Sequence, residues 1–232
     1  MNKFAISDEE LSEFMGAAPV CADDFSDWEP SKEDKNKDEL TRLIRLTAMM
    51  DSLKLATQEA GIHKWFMPKT PFGIEHCPKH SAFFAAGSSY NERLFLAGNR
   101  TGKSISGAYE SACHATGIYP SWWLGRMFDK PTHGWAVGST ARATRDTAQK
   151  ELLGPIGAWG TGMIPKESLG KFWALAGVPQ GVDIIQVKHV SGGWSTIGFK
   201  NYEQPLSAFY GTALDWVWLD EECPIEHYNE CL

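Results

Sequence analysis

The sequence predicts an α/β fold in which a central, mostly parallel sheet is flanked by helices, and three observations carry it. An apolar run, Leu94-Phe95-Leu96-Ala97, enters a loop from Gly98 to Gly102 that opens directly into a helical pattern. A second strand-then-helix pair follows at His133 to Ser139 and Thr140 to Leu153. A third apolar run, Trp216-Val217-Trp218-Leu219, stops on the acids Asp220 and Glu221. Strands alternating with helices favour parallel pairing, with functional loops at the carboxyl ends of the strands.

Taken in chain order, Ser7 to Phe14 reads as a short helix, with Ser7 as cap and Glu10 three residues on. Cys21 to Asp38 is crowded with acids, Lys, Ser and Pro and reads as a flexible linker or tail. From Glu39 to about Ala60, apolar residues at Leu40, Leu43, Ile44, Leu46, Met49, Met50, Leu53 and Leu55 approximate helical spacing, and Gly61 ends the run. This gives an acidic tail over 1–38, a helical extension over 39–62 and one larger domain over 63–232. In that domain Arg93 to Gly98 is the first expected strand, and Lys103 to Thr116 its helix, stopped by Gly117 and Pro120. Ile184 to Val190 and Trp194 to Lys200 alternate around Gly192-Gly193 as a hairpin does. Asp215 to Leu219 is then expected as a buried strand.

The chemistry concentrates at two places. Ala97-Gly98-Asn99-Arg100-Thr101-Gly102-Lys103-Ser104 is Ala-x4-Gly-Lys-Ser, one residue from Gly-x4-Gly-Lys-Ser/Thr, with the smallest chiral side chain at the altered position. The backbone N–H groups of such a loop, with the positive end of the following helix, surround a polyphosphate. Lys103 is placed to reach the β- and γ-phosphates of ATP, and the Ser104 hydroxyl to bind Mg²⁺. Asp220, at the end of an apolar strand, suits the Mg²⁺ shell, and Glu221 suits polarisation of an attacking water. Glu222 stands beside it and competes for that role. A kinase needs no water-activating carboxylate next to its metal acid, so the pair favours ATP hydrolysis.

The chain has 232 residues and a net charge of −7, and residues 1–38, with 4 Lys against 11 acids, account for all of it. The rest is neutral, so contact with nucleic-acid phosphates requires a local basic patch. Five cysteines, without a Cys-x2-Cys pair, suit a reducing compartment. Cys223, His227 and Cys231 recur every four residues, but three ligands without a fourth nearby do not complete a structural zinc site. No apolar run of eighteen residues and no cleavable leader is present, so no membrane partner is expected.

Together these segments resemble the ATPase domain of bacteriophage large terminase subunits. The resemblance runs from about Cys77 to Leu232. It includes Pro78-Lys79-His80, Phe83 to Gly87, the Ala97–Ser104 loop, Tyr119 to Trp123, Gly138-Ser139-Thr140 with Arg145-Asp146, Phe199 to Gln204, Tyr210-Gly211-Thr212 and Trp218 to Glu222. It implies a P-loop NTPase of the ASCE/RecA-like type that hydrolyses ATP with Mg²⁺ to move double-stranded DNA. It also implies work in the host cytoplasm as a homo-oligomeric ring with a small terminase subunit and the portal of a procapsid.

The same resemblance puts the adenine against the segment before the loop, where the family carries Pro-Lys-Gln and this chain has His80 in place of the Gln. Phe83 or Phe84 is the candidate for stacking on the base. An arginine finger is expected in trans from Arg145 or Arg142, with Arg100 as the third candidate, each of which otherwise reads as a solvated or Asp146-paired side chain. The family's in-loop arginine position is Asn99 here. The coupling motif and nuclease domain of the family are not contained in these residues, and the sheet is expected to lack a strand in consequence. Two other readings fit parts of the pattern. One is a helicase-like RecA-type motor, from Asp220-Glu221-Glu222-Cys223. The other is a truncated binding module docking onto the small subunit or portal.

Overall fold

The computed structural model describes residues 40–45, 60–70 and 73–232. The chain divides into two units, 1–55 and 56–232. In the first, residues 40–45 are helical and expose Leu40, Leu43 and Ile44. The expected helix at Ser7 to Phe14, the tail to Asp38 and the rest of the helix toward Ala60 lie outside the described residues.

The second unit is built on a five-stranded mixed sheet. Its strands are β1 (His133–Gly138), β2 (Leu169–Ala174), β3 (Val182–His189), β4 (Gly193–Asn201) and β5 (Trp216–Leu219). The spatial order is β2-β3-β4-β1-β5. Pairing of β1 with β4 and with β5 is parallel, whereas β3 runs antiparallel to both β2 and β4. The expected hairpin is present, turning through Gly192 at φ 103°, a left-handed conformation that glycine adopts without strain. β2 was not anticipated, and the sheet is parallel only across β4, β1 and β5, with two of its four pairings antiparallel.

The helices are α1 (Pro78–Ala86), α2 (Lys103–Thr116), α3 (Ala141–Thr144), α4 (Lys150–Leu153) and α5 (Ile225–Glu230). α2 has the expected bounds and ends where Gly117 takes a φ of 73° and its N–H bonds the Cys113 carbonyl. The helix expected over Thr140 to Leu153 is capped by the Thr140 hydroxyl, which accepts from the Ala143 N–H. A π turn, Arg145–Gln149, interrupts it between α3 and α4.

Alternation along the strands sorts the two faces. Ile185 and Val187 of β3, Ile197 and Phe199 of β4, and Ala136 of β1 share a core with Ala108, Tyr109, Ala112 and Cys113 of α2. Leu152, Leu153, Phe84 and Trp123 complete it, each fully buried large side chain contributing roughly 1.5–3 kcal/mol. Ile62 and Phe66 belong to this core as well, so residues 60–66 pack as part of the domain. On the other face Trp135, Val137 and Phe209 form a smaller cluster with Val217 and Leu219.

Two sequence expectations fail here for one reason. Arg93 to Gly98 is extended but belongs to no strand, and Leu94 and Leu96 are 84% and 86% exposed. β5 is half-buried rather than buried, because among the described residues it pairs only with β1. A strand exists through its partners: no described strand lies beside residues 93–98, and none flanks β5 on the side away from β1. Side chains hold the 93–98 segment instead. Arg93 donates to the Phe83 carbonyl at 2.8 Å and to the Glu110 carboxylate of α2 at 3.0 Å.

Candidate nucleotide site

The parallel strands β4, β1 and β5 all end at one edge of the sheet, and the loop between Gly98 and Ser104 meets that edge from the start of α2. The Ser104 hydroxyl donates to Asp220 Oδ1 at 3.1 Å, joining residues 116 apart in sequence. Two tryptophans of β5 set this approach. Trp218 lies so close to Gly107 of α2 that a Cβ there would stand 2.3 Å from its indole nitrogen. Trp216 covers Gly134 of β1 in the same way and donates its indole N–H to the Thr132 hydroxyl at 3.0 Å. Small residues on α2 and β1 therefore let β5 sit close enough to bring its terminal acid to the helix start.

The loop is held by its own side chains. Lys103 Nζ donates to the Ala97 carbonyl at 2.9 Å and the Gly98 carbonyl at 2.7 Å. The Thr101 hydroxyl donates to the Gly98 carbonyl at 2.8 Å. Arg100 and Gly102 both have positive φ, 60° and 87°. These turns and the free N–H groups at the start of α2 are the arrangement that receives an anion. Asn99 and Arg100 are exposed at the loop tip.

Burial raises the pKa of Asp220 above the ordinary carboxylate value. The Ser104 bond and Lys103 pull it down, while Glu221 pushes it further up. A partly buried carboxylate beside a hydroxyl is a pair of hard oxygen donors of the kind that suits Mg²⁺. Glu221 is exposed and takes a φ of 67°, uncommon for a residue other than glycine, whereas Glu222 shows no such conformation.

The remaining expected residues are placed unevenly. His80, on α1, has Nε2 3.0 Å from the Thr101 carbonyl. Phe84 is 1% exposed and belongs to the core. Phe83 stacks on Phe95 at 4.8 Å and carries the Arg93 guanidinium 4.6 Å from its ring centre, so little of its face is left for a base. Arg145 is engaged with Asp146 at 2.8 Å and the Pro179 carbonyl at 3.0 Å, and its pKa rises chiefly through the Asp146 bond. Arg142 is exposed; its charge helps to lower the pKa of Asp146, and its carbonyl accepts from the Arg145 N–H.

One neighbour of the site escaped the sequence reading. Tyr202, just past β4, donates its N–H to the Gly138 carbonyl at 3.1 Å and its hydroxyl to the Asp220 carbonyl at 3.4 Å. It ties the ends of all three parallel strands together. The signal available was the Asn-Tyr-Glu-Gln turn after an apolar strand, whose Asn201 and Gln204 bond back onto the turn.

Comparison with known proteins adds a second line. The family described as "Terminase large subunit, T4likevirus-type, N-terminal" matches residues 94–232. The "Terminase, large subunit" of Salmonella phage P22 is 37% identical over 174 residues, covering 66% of this chain and 35% of the relative. The chain thus spans about a third of the length of that relative. No solved structure gives a significant match.

Proposed function

The chain belongs to the N-terminal family of large terminase subunits, and from that premise we propose that it is an Mg²⁺-dependent ATPase that powers translocation of double-stranded DNA into a procapsid. The observation that carries the reading is the Ser104–Asp220 contact at 3.1 Å, which joins the end of a phosphate-type loop to a strand-end acid. It supports a P-loop NTPase of the ASCE type, with the triphosphate over Gly98 to Ser104.

Binding exchanges partners that are already in place. Lys103, which now bonds the Ala97 and Gly98 carbonyls, would bind β- and γ-phosphate oxygens instead, and the Ser104 hydroxyl, now bonded to Asp220, would be free to hold the cation. Mg²⁺, when bound, supplies charge neutralisation on the phosphates, and Ser104 and Asp220 are the residues to hold it. Glu221 is the general base that orients and deprotonates the attacking water. Its left-handed backbone turns it away from the line of β5, which favours it over Glu222. For the arginine that neutralises the γ-phosphate, Arg100 and Arg142 are favoured over Arg145, whose guanidinium is committed to Asp146 and Pro179.

The same reading makes double-stranded DNA, a small terminase subunit and a portal the partners, in a ring in the host cytoplasm. DNA grip through phosphates is sequence-tolerant and salt-sensitive. The test is phosphate release by the chain with and without duplex DNA across a salt series. Stimulation that is independent of DNA sequence and fades with salt is expected. Unwinding of a forked duplex would replace the packaging reading with a helicase.

A further inference from the structure

We propose that His80 is a latch on the phosphate loop and not a reader of the base, so that this chain recognises nucleotides by their triphosphate. The proposal rests on the triphosphate reading above and assigns a distinct task to one of its residues. A carbonyl oxygen has no proton to give, so in the 3.0 Å contact with Thr101 the donor is His80 Nε2–H.

The loop shows what such a donor does. A backbone that turns its N–H groups toward an anion must turn carbonyls the other way, and a carbonyl bonded to an anchored side chain is held in that orientation where water would leave it free to turn. Lys103 and the Thr101 hydroxyl serve Ala97 and Gly98, and His80 serves Thr101. The imidazole is held for this task. Phe66, itself in the core, lies 5.5 Å away, and Phe95 meets it edge-on at 5.0 Å. On the loop side, a Cβ at Gly102 would be 3.2 Å from His80 Nε2, and Gly102 has the positive φ that a side chain resists. The ring, the two aromatics and the glycine thus form one packed contact beneath the loop.

The consequence concerns specificity. With Nε2–H committed to Thr101, the imidazole keeps only its Nδ1 acceptor, half of the donor–acceptor pattern that reading a base edge takes. Phe84 is buried, and Phe83 and Phe95 stack on each other, with Arg93 over Phe83 and His80 against Phe95, so these rings are committed to one another and none is set aside for a base. With the imidazole donor spent on the loop as well, ATP and GTP bind alike.

The experiment uses the full chain, with His80→Phe, which keeps a ring between Phe66 and Phe95 but deletes the donor, and His80→Gln, whose amide restores one. Affinities for Mg²⁺-ATP, Mg²⁺-GTP and Mg²⁺-tripolyphosphate are measured, together with trypsin cleavage after Arg100 without nucleotide. In His80→Phe all three ligands weaken by one common factor of about 5 to 10, as expected for one lost hydrogen bond. Cleavage after Arg100 rises several-fold, and His80→Gln reverses both changes. A loss confined to ATP would overturn the latch in favour of base reading, as would unchanged cleavage in His80→Phe. If the wild type bound none of the three, the nucleotide reading itself would fall, and the cleavage rates would still decide the latch.

Discussion

Asp220 shows how the site is poised at the scale of a single residue. Its pKa is raised, first by burial, from a model-peptide value of 3.8. A carboxyl group raised on folding contributes stability that is fully present below 3.8 and is lost as pH rises through the folded value. At neutral pH the unliganded chain therefore carries a buried charge at a cost, which a divalent cation beside Ser104 would relieve. Asp220→Asn keeps an acceptor for the Ser104 hydroxyl and removes the charge. Its thermal midpoint without Mg²⁺ is expected to exceed that of the wild type at pH 7, with the gain vanishing as pH falls toward 3.8, and Mg²⁺-ATP no longer stabilises it. A lower midpoint at pH 7 would show that the charge is compensated. The approach of Ser104 to Asp220 was legible from the sequence, because a phosphate-type loop and a strand-end acid are recognised by residue type and order along the chain. What His80 and Phe83 touch was not legible, because it depends on Phe66 and on Arg93 and Phe95, which come from two other segments.

Among the elements, α2 and β5 act as a matched pair. Gly107 admits Trp218, and the closeness of the two elements sets the Ser104–Asp220 distance. A methyl group at 107 would force the indole and β5 away. Gly107→Ala is expected to lose about 1–3 kcal/mol of stability despite the higher helix propensity of alanine, and to weaken Mg²⁺-ATP binding in parallel. A denaturation curve that shows stabilisation would mean that Trp218 yields freely.

Glu110 is the second control point. It is 7% exposed, pairs with Arg93 at 3.0 Å, and lies 3.5 Å from His114. Glu110→Gln should cost roughly 3 kcal/mol, because it leaves the Arg93 charge uncompensated, and should speed proteolysis within 93–98. Unchanged proteolysis would show that the Lys103 bonds alone hold the segment. The apolar run at 94–97 reads as a strand by composition, yet the ladder that would make it one is a property of neighbours. The Thr140 cap was within reach of pattern reading, whereas the π turn at Arg145–Gln149 and the outward-facing β2 leave no periodic mark.

For the whole molecule, three parallel strands ending together at Gly138, Asn201 and Asp220 place one loop cluster at one sheet edge, which is how an α/β sheet presents a site. The strand–helix alternation predicted that edge. The antiparallel β2-β3 flank completes the sheet without contributing to the edge.

The account stands on the meeting of the Lys103–Ser104 helix start with Asp220 and Glu221. Its most direct test measures Mg²⁺-ATP binding and steady-state phosphate release on wild type, Lys103→Ala and Glu221→Gln. The account predicts binding lost only in Lys103→Ala, and turnover lost there and reduced roughly 10²- to 10⁴-fold in Glu221→Gln. Turnover in Glu221→Gln equal to the wild type, or binding retained in Lys103→Ala, would contradict it.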